Sequence, residues 1–141
     1  MRVLRSGCAI VPALLLGLAA CQEPPAPQSV AAPVAGAVEE GHASYYSHRF
    51  NGRRMASGER LNPNTNVAAH RTLPFGTLVR VTNLHNGRTE IVRIADRGPH
   101  GRGRILDVTP QTADRLGMRA AGVVRVSVTP VGREEVAQAR D

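Results

Sequence analysis

Glu90-Ile-Val-Arg-Ile-Ala-Asp-Arg-Gly-Pro-His100, followed closely by Gly103-Arg-Ile-Leu-Asp107, reads as a strand that ends abruptly on an acid. Ile91, Val92 and Ile94 are β-branched and suit a pleated surface. Arg97-Gly98-Pro99 cannot extend a central ladder, because proline has no amide hydrogen to donate. Asp96 therefore stands at a strand end, oriented by a sheet and reachable from a loop. Two roles are open to it: capping its own turn through nearby backbone N–H groups, as aspartates before Gly-Pro do, or chemistry on a substrate.

Working outward, Thr77-Leu-Val-Arg-Val-Thr82 and Thr89-Glu-Ile-Val-Arg-Ile94 are two short β-prone runs joined through Leu84-His-Asn-Gly87. Asn86-Gly87 predicts a hairpin, since both residues tolerate positive φ. Gly122-Val-Val-Arg-Val-Ser-Val-Thr129 alternates cleanly, so Val124, Val126 and Val128 share the face of a half-buried strand. One helix is predicted over Gln111–Leu116, with Thr109 as N-cap, Pro110 in the first turn and Gly117 just past its end. Small strands and glycine turns make up the rest. The pattern is that of a mainly β chain, a compact barrel carrying one short helix. The domain is expected to run from Gly41 to Val131, and Gly132–Asp141 is a polar tail suited to a frayed helical turn.

The segment before the barrel reads as an address. Met1-Arg-Val-Leu-Arg5 is basic, Ala9–Ala20 is almost wholly apolar, and Leu18-Ala-Ala-Cys21 ends the run in small residues. This is a secretory signal too short to span a bilayer stably, and residues 1–20 are assigned to it. Leu18-Ala-Ala-Cys21 resembles a bacterial lipobox, which implies cleavage before Cys21 and lipidation of that residue. Cys8 then leaves with the signal, so no disulfide can form within the mature chain. Several acyl chains would hold the protein firmly on a membrane surface. Gln22 after the cysteine, by resemblance to enterobacterial sorting, favours the outer membrane facing the periplasm. Gln22–Glu40 is rich in Ala, Pro and Val without hydrophobic periodicity, and is expected to be a disordered tether reaching roughly 50–60 Å at about 3 Å per residue.

The formal charge is +7, and all 18 Lys+Arg residues are arginine. Losing Arg2 and Arg5 with the signal leaves 16 basic against 11 acidic residues, +5 before lipidation. Guanidinium forks suit carboxylate and sugar-oxygen recognition. With an extracytoplasmic address nucleic acid is not the expected partner and an anionic wall polymer is the more natural counterpart, while solvated surface arginines account for most of the charge.

Three further segments align with Asp96-Arg-Gly-Pro99: Gly41-His-Ala-Ser-Tyr-Tyr46, Asn51-Gly-Arg-Arg-Met-Ala-Ser-Gly-Glu59 and Ala68-Ala-His-Arg-Thr-Leu-Pro-Phe-Gly76. In this order and spacing they resemble the rare lipoprotein A (RlpA) family, lipoproteins with a six-stranded double-psi β-barrel that include peptidoglycan lytic transglycosylases. The resemblance runs from Gly41 to Val131. It implies an endolytic transglycosylase that cleaves MurNAc-GlcNAc β-1,4 bonds of glycan strands and leaves a 1,6-anhydro sugar. The alternative it leaves open is a non-catalytic peptidoglycan-binding barrel, and a third is a structural lipoprotein with an envelope-protein partner. A monomer is expected.

Carried over residue by residue, the family's active-site positions fall on Glu59, His70 and Asp96. Cleavage needs a proton donor for the leaving oxygen and stabilisation of an oxocarbenium-like centre, and carboxyls supply both. Asp96 is expected to be the acid and then the base, with Glu59 as the like-charged neighbour that helps it hold a proton; the reverse assignment, with Glu59 as acid, stays open. His70 is expected to hydrogen-bond and orient a carboxyl. Tyr45 and Tyr46 would stack on sugar, and Arg54 and Arg97 would also touch substrate. Asp107 and Arg97 are expected to pair as carboxylate and guanidinium. His42, His48, His85 and His100 lack zinc-site spacing, so no metal or cofactor is expected. The chain departs from the family pattern at Tyr45-Tyr46, where tryptophan-tyrosine is usual, at Ser47 for glycine, and at Met55 for threonine. Many members carry a C-terminal glycan-binding module for the septum. The short tail after Val131 is not expected to hold one, and septal targeting is not expected.

Overall fold

The computed structural model describes residues 37–138. The expected signal segment, the expected lipidation position Cys21 and all but the last residues of the expected tether lie outside the described residues. Six strands are present: β1 (Glu39–Tyr45), β2 (Val67–His70), β3 (Leu78–Asn83), β4 (Thr89–Asp96), β5 (Arg104–Val108) and β6 (Val124–Pro130). They close into a barrel in the order β1-β5-β2-β4-β3-β6. Glu39 and Glu40, read as the end of the tether, are instead the first residues of β1, where they pair with Val128 and Ser127 of β6.

The expected hairpin forms between β3 and β4, with Gly87 at φ 75°. Its loop is longer than a two-residue turn: Gly87 N–H donates to the Asn83 carbonyl, and Asn83 N–H to that of Arg88. The alternation predicted for β6 also holds, with Val124, Val126 and Val128 buried. They meet Val79 and Val81 of β3, Val92 and Ile94 of β4, and Leu106 and Val108 of β5 in one core. Gly41 has no room for a side chain, since a Cβ there would come within 2.7 Å of Ile105. That close approach lets β1 lie beside β5.

Helix α1 (Pro110–Arg115) starts on Thr109, whose Oγ1 accepts from Thr112 N–H at 3.4 Å. Its C-terminal carbonyl, that of Leu116, accepts from the side-chain amides of Asn83 (2.9 Å) and Asn86 (3.0 Å). These two asparagines satisfy a group that any helix end leaves orphaned. The expectation of one helix is corrected by a second, α2 (Arg133–Gln138), in the polar tail. Glu135 of α2 forms an ion pair with Arg80 of β3, which fastens that segment to the barrel.

Two of the six pairings are parallel, β1 with β5 and β2 with β4, and each carries a register shift. In the second, Ala68 pairs with Ile94 but Ala69 pairs with Asp96, so Ala95 is passed over. A strict period of two would send Asp96 to the core face shared by Val92 and Ile94. The shift releases it from that phase, as bulges do where a strand must re-aim a side chain. Ala95 packs instead in a smaller apolar cluster with Met55, Leu61 and Val67, flanked by Tyr46 and Phe50.

Candidate active site

Asp96 is the last residue of β4 and lines a groove of about 540 Å3. Part of its lining is the end of β1 at Tyr45 with Tyr46 and Ser47 after it, continuing through Arg49 and Phe50 of the short 3-10 turn His48–Phe50. The loop Arg97–Gly101 forms another part of the lining, and Arg49, Arg53, Arg54 and Arg104 also line the groove. Arg49 and Arg53 both lie over the Phe50 ring, at 4.9 and 5.6 Å from its centroid.

Three donors converge on the Asp96 carboxyl. Oδ1 accepts from Ala56 N–H at 2.8 Å and Arg97 N–H at 2.9 Å, and Oδ2 accepts from the Tyr46 hydroxyl at 2.8 Å. Asp96 thus makes the turn bond that its position before Gly-Pro suggests, and adds two longer-range ties. A carboxylate offers about four acceptor positions, so Oδ2 keeps capacity for a further partner. Burial pushes the Tyr46 hydroxyl well above the ordinary tyrosine range; the bond to Asp96 and the charges of Asp96 and Asp107 add to the effect. Tyr46 therefore stays a proton-bearing donor at any physiological pH.

The loop that delivers Ala56 is a small hairpin of its own. Gly52 N–H donates to the Leu61 carbonyl, Leu61 N–H to that of Arg53, and Met55 N–H to that of Glu59. Ser57 N–H donates to the Ala95 carbonyl, pinning the hairpin tip to β4. Met55 is buried in the apolar cluster beneath. Arg54 lines the groove while its Nη1 donates to the Gly58 carbonyl at 3.2 Å.

The structure brings Asp96, Tyr45, Tyr46, Arg54 and Arg97 to one groove, and places Glu59 and His70 outside its lining. Glu59, expected as the like-charged neighbour of Asp96, is engaged by Arg93. Its two oxygens accept from Arg93 Nη1 and Nη2 at 2.8 and 2.7 Å, and these bonds hold its carboxyl below the usual glutamate range. His70 does bond a carboxyl, but that of Glu39 rather than Asp96, at 3.1 Å from Nε2. The expected Arg97–Asp107 pair is absent. Arg97 Nη1 donates to the carbonyls of Leu73 (2.8 Å) and His70 (3.3 Å), and its guanidinium lies 3.9 Å from the Phe75 ring centroid. Asp107 bonds instead to Ser44 and Arg104.

Asp107, expected only as the partner of Arg97, is the second carboxyl lining the groove. Its position follows from the parallel register that sets Ser44 beside Asp107, a pairing between residues far apart in the chain. The only local sign is that Asp107 interrupts Ile105-Leu106 and Val108.

Residues 38–128 match the family model described as lytic transglycolase. The chain belongs to the lytic transglycolase family. Within it, the chain is 57% identical over 91 residues to "Probable endolytic peptidoglycan transglycosylase RlpA" of Treponema pallidum, covering 64% of this chain and 29% of the relative. It is 46% identical over 101 residues to "Endolytic peptidoglycan transglycosylase RlpA" of Pasteurella multocida, covering 70% of this chain and 34% of the relative. The chain thus spans about a third of the length of these curated relatives. Among solved structures, the expansin of Clavibacter michiganensis shares the fold at TM-score 0.55 and 23% identity, over 69% of this chain and 52% of the expansin. So does the Streptomyces papain inhibitor, at TM-score 0.56 and 24% identity over 70% of this chain and 98% of the inhibitor.

Proposed function

We propose that this lytic transglycolase-family domain is an endolytic peptidoglycan transglycosylase, with Asp96 as its acid and base. The observation that carries the reading is a strand-end carboxyl in an arginine-lined groove, held by three donors with acceptor capacity to spare. The names of the RlpA relatives support the same reaction.

In the proposed step the Asp96 carboxyl gives its proton to the glycosidic oxygen as the C1–O bond breaks. The C6 hydroxyl of the same muramic acid residue attacks C1, and the carboxylate takes the hydroxyl proton. One bond breaks, one forms, no water is consumed, and the carboxyl returns to its starting state. Tyr46 orients the carboxyl through Oδ2 while Ala56 and Arg97 hold Oδ1. Glu59, already neutralised by Arg93, is the weaker candidate for the acid. Tyr45, Arg54 and Arg97 are proposed to contact the strand. The protein acts from the cell envelope as a monomer, anchored by lipid on Cys21, with the outer membrane facing the periplasm as its site.

Incubating the protein with purified glycan strands, intact and stripped of stem peptides, and analysing products by mass spectrometry tests the proposal. Wild type is expected to release 1,6-anhydromuramyl ends, and Asp96→Asn to lose at least about a hundredfold in rate, the usual share of a general acid–base group. Undiminished product from Asp96→Asn would remove Asp96 from the chemistry. No product from wild type, with an active transglycosylase working in parallel and with glycan pull-down surviving Asp96→Asn and Glu59→Gln, would establish the non-catalytic binding barrel instead.

A further inference from the structure

His70 is almost fully buried at the end of β2, with 2% of its surface exposed. Its ring is committed on both nitrogens. Nδ1 faces the backbone N–H groups of Thr72 and Leu73, at 3.3 and 3.2 Å, and Nε2 faces the Glu39 carboxylate at 3.1 Å. An amide N–H can only donate, so Nδ1 must present its lone pair, and Nε2 must carry the hydrogen that Glu39 accepts. The tautomer is therefore set by its partners. A proton added at Nδ1 would face two donors with a third.

The turn that this ring closes is bolted to the groove. Arg97 reaches back to the His70 and Leu73 carbonyls, and Arg71 reaches forward from the turn, donating Nε to the Pro99 carbonyl at 2.8 Å and Nη2 to that of Gly101 at 2.7 Å. The two arginines clasp the 70–73 turn and the 97–101 loop in both directions. The loop is a groove wall, and the Arg97 amide at its start is one of the donors on Asp96.

We infer that His70 is a positioning residue: as a fixed acceptor at Nδ1 it shapes the 70–73 turn, and through Arg97 and Arg71 it sets the loop that orients Asp96. It carries no proton in the reaction. The inference rests on the reading of Asp96 as the reacting carboxyl, and its test separates the two.

The substitution that decides the matter is His70→Asn, because an asparagine side-chain oxygen occupies much the place of Nδ1 and can accept from the same amides but cannot shuttle a proton. It forfeits the bond to half-exposed Glu39 and part of the packing of the buried ring but keeps the acceptor that holds the turn, so cleavage is expected to stay within about threefold of wild type, the rate equivalent of a modest hydrogen-bond loss. His70→Gln, whose polar atoms sit nearer the Nε2 position, and His70→Ala are expected to fall by about tenfold or more, the rate equivalent of a lost, geometry-setting hydrogen bond. Two readouts are independent of catalysis. Long-range proton–nitrogen NMR of the ring should show hydrogen on Nε2 alone, and hydrogen exchange at the Thr72, Leu73 and Arg97 amides should be slow in wild type and His70→Asn but faster in His70→Gln. Should His70→Ala fail to fold, the Asn and Gln variants carry the comparison. If His70→Asn is as inactive as His70→Gln while those amides stay protected, His70 transfers protons and the inference is overturned. A hydrogen on Nδ1 overturns it as well. If wild type cleaves no glycan, the transglycosylase reading fails, and the ring tautomer and amide protection decide the positioning role by themselves.

Discussion

At the scale of single residues, the site depends on which groups touch Asp96. Tyr46 is the side-chain partner, and its raised pKa gives a directional test. A group whose folded pKa lies above its unfolded value favours folding fully below the unfolded value, 10.0 for tyrosine, and that contribution is lost as pH rises above it. Wild type should therefore lose stability more steeply than Tyr46→Phe as pH rises from about 10 toward 12, where arginine is still charged. Paired urea titrations across that window would show it, and parallel curves would mean that the hydroxyl is not preferentially protonated in the folded state. Asp96 itself was legible in the sequence, because a β-branched run ending at Asp-Arg-Gly-Pro leaves little freedom in where the acid sits. The disposition of Glu59 and His70 was not. Ser-Gly-Glu and Ala-Ala-His carry no local sign that Arg93 and Glu39 will claim their side chains, since both partners arrive from other strands.

Elements show a similar division. The strands that alternate, β3 and β6, and the hairpin punctuated by Asn86-Gly87 were readable because one face is apolar and the other polar. Strand β2 was not, since Val67, Ala68, Ala69 and His70 are all buried and show no period. Helix α1 spans only Pro110–Arg115, too short to stand by itself. Its stability comes from burial of Ala113 and Leu116 in the core and from its ends, the Thr109 cap on one side and the two asparagine amides on the Leu116 carbonyl on the other. Asn83 is 1% exposed, and its Oδ1 also accepts from His85 N–H. Replacing it with alanine takes the partner from the His85 amide and leaves the Leu116 carbonyl to Asn86 alone, so Asn83→Ala is expected to cost about 1–3 kcal/mol. Asn86→Ala, at an exposed position, should cost less. Chemical denaturation of both variants measures the order, and equal losses would mean that burial of Asn83 contributes nothing.

For the whole molecule, the decisive fact is closure of the barrel through two parallel pairings, each with a shifted register. The same β5 strand turns Leu106 into the core and Asp107 toward the groove, so core and site are coupled. Leu106→Ala is expected to destabilise the fold by about 2–5 kcal/mol, the range for a buried leucine truncated in a packed core. Glycan cleavage measured well below the lowered melting temperature should fall as well. A variant that loses stability but keeps full activity would show that the groove does not feel the core. The sequence by itself determined a β-rich domain, its long alternating strands, the hairpin, the capped helix, and an aspartate at a strand end, because each follows from chemistry within a few neighbouring residues. Tertiary structure alone decided that Asp96 leaves the core phase and that Asp107 joins it in the groove. It also decided that Glu59 pairs with Arg93 and that His70 turns toward Glu39. These outcomes depend on register between strands far apart in the chain, and a one-residue shift in register changes which face a side chain meets.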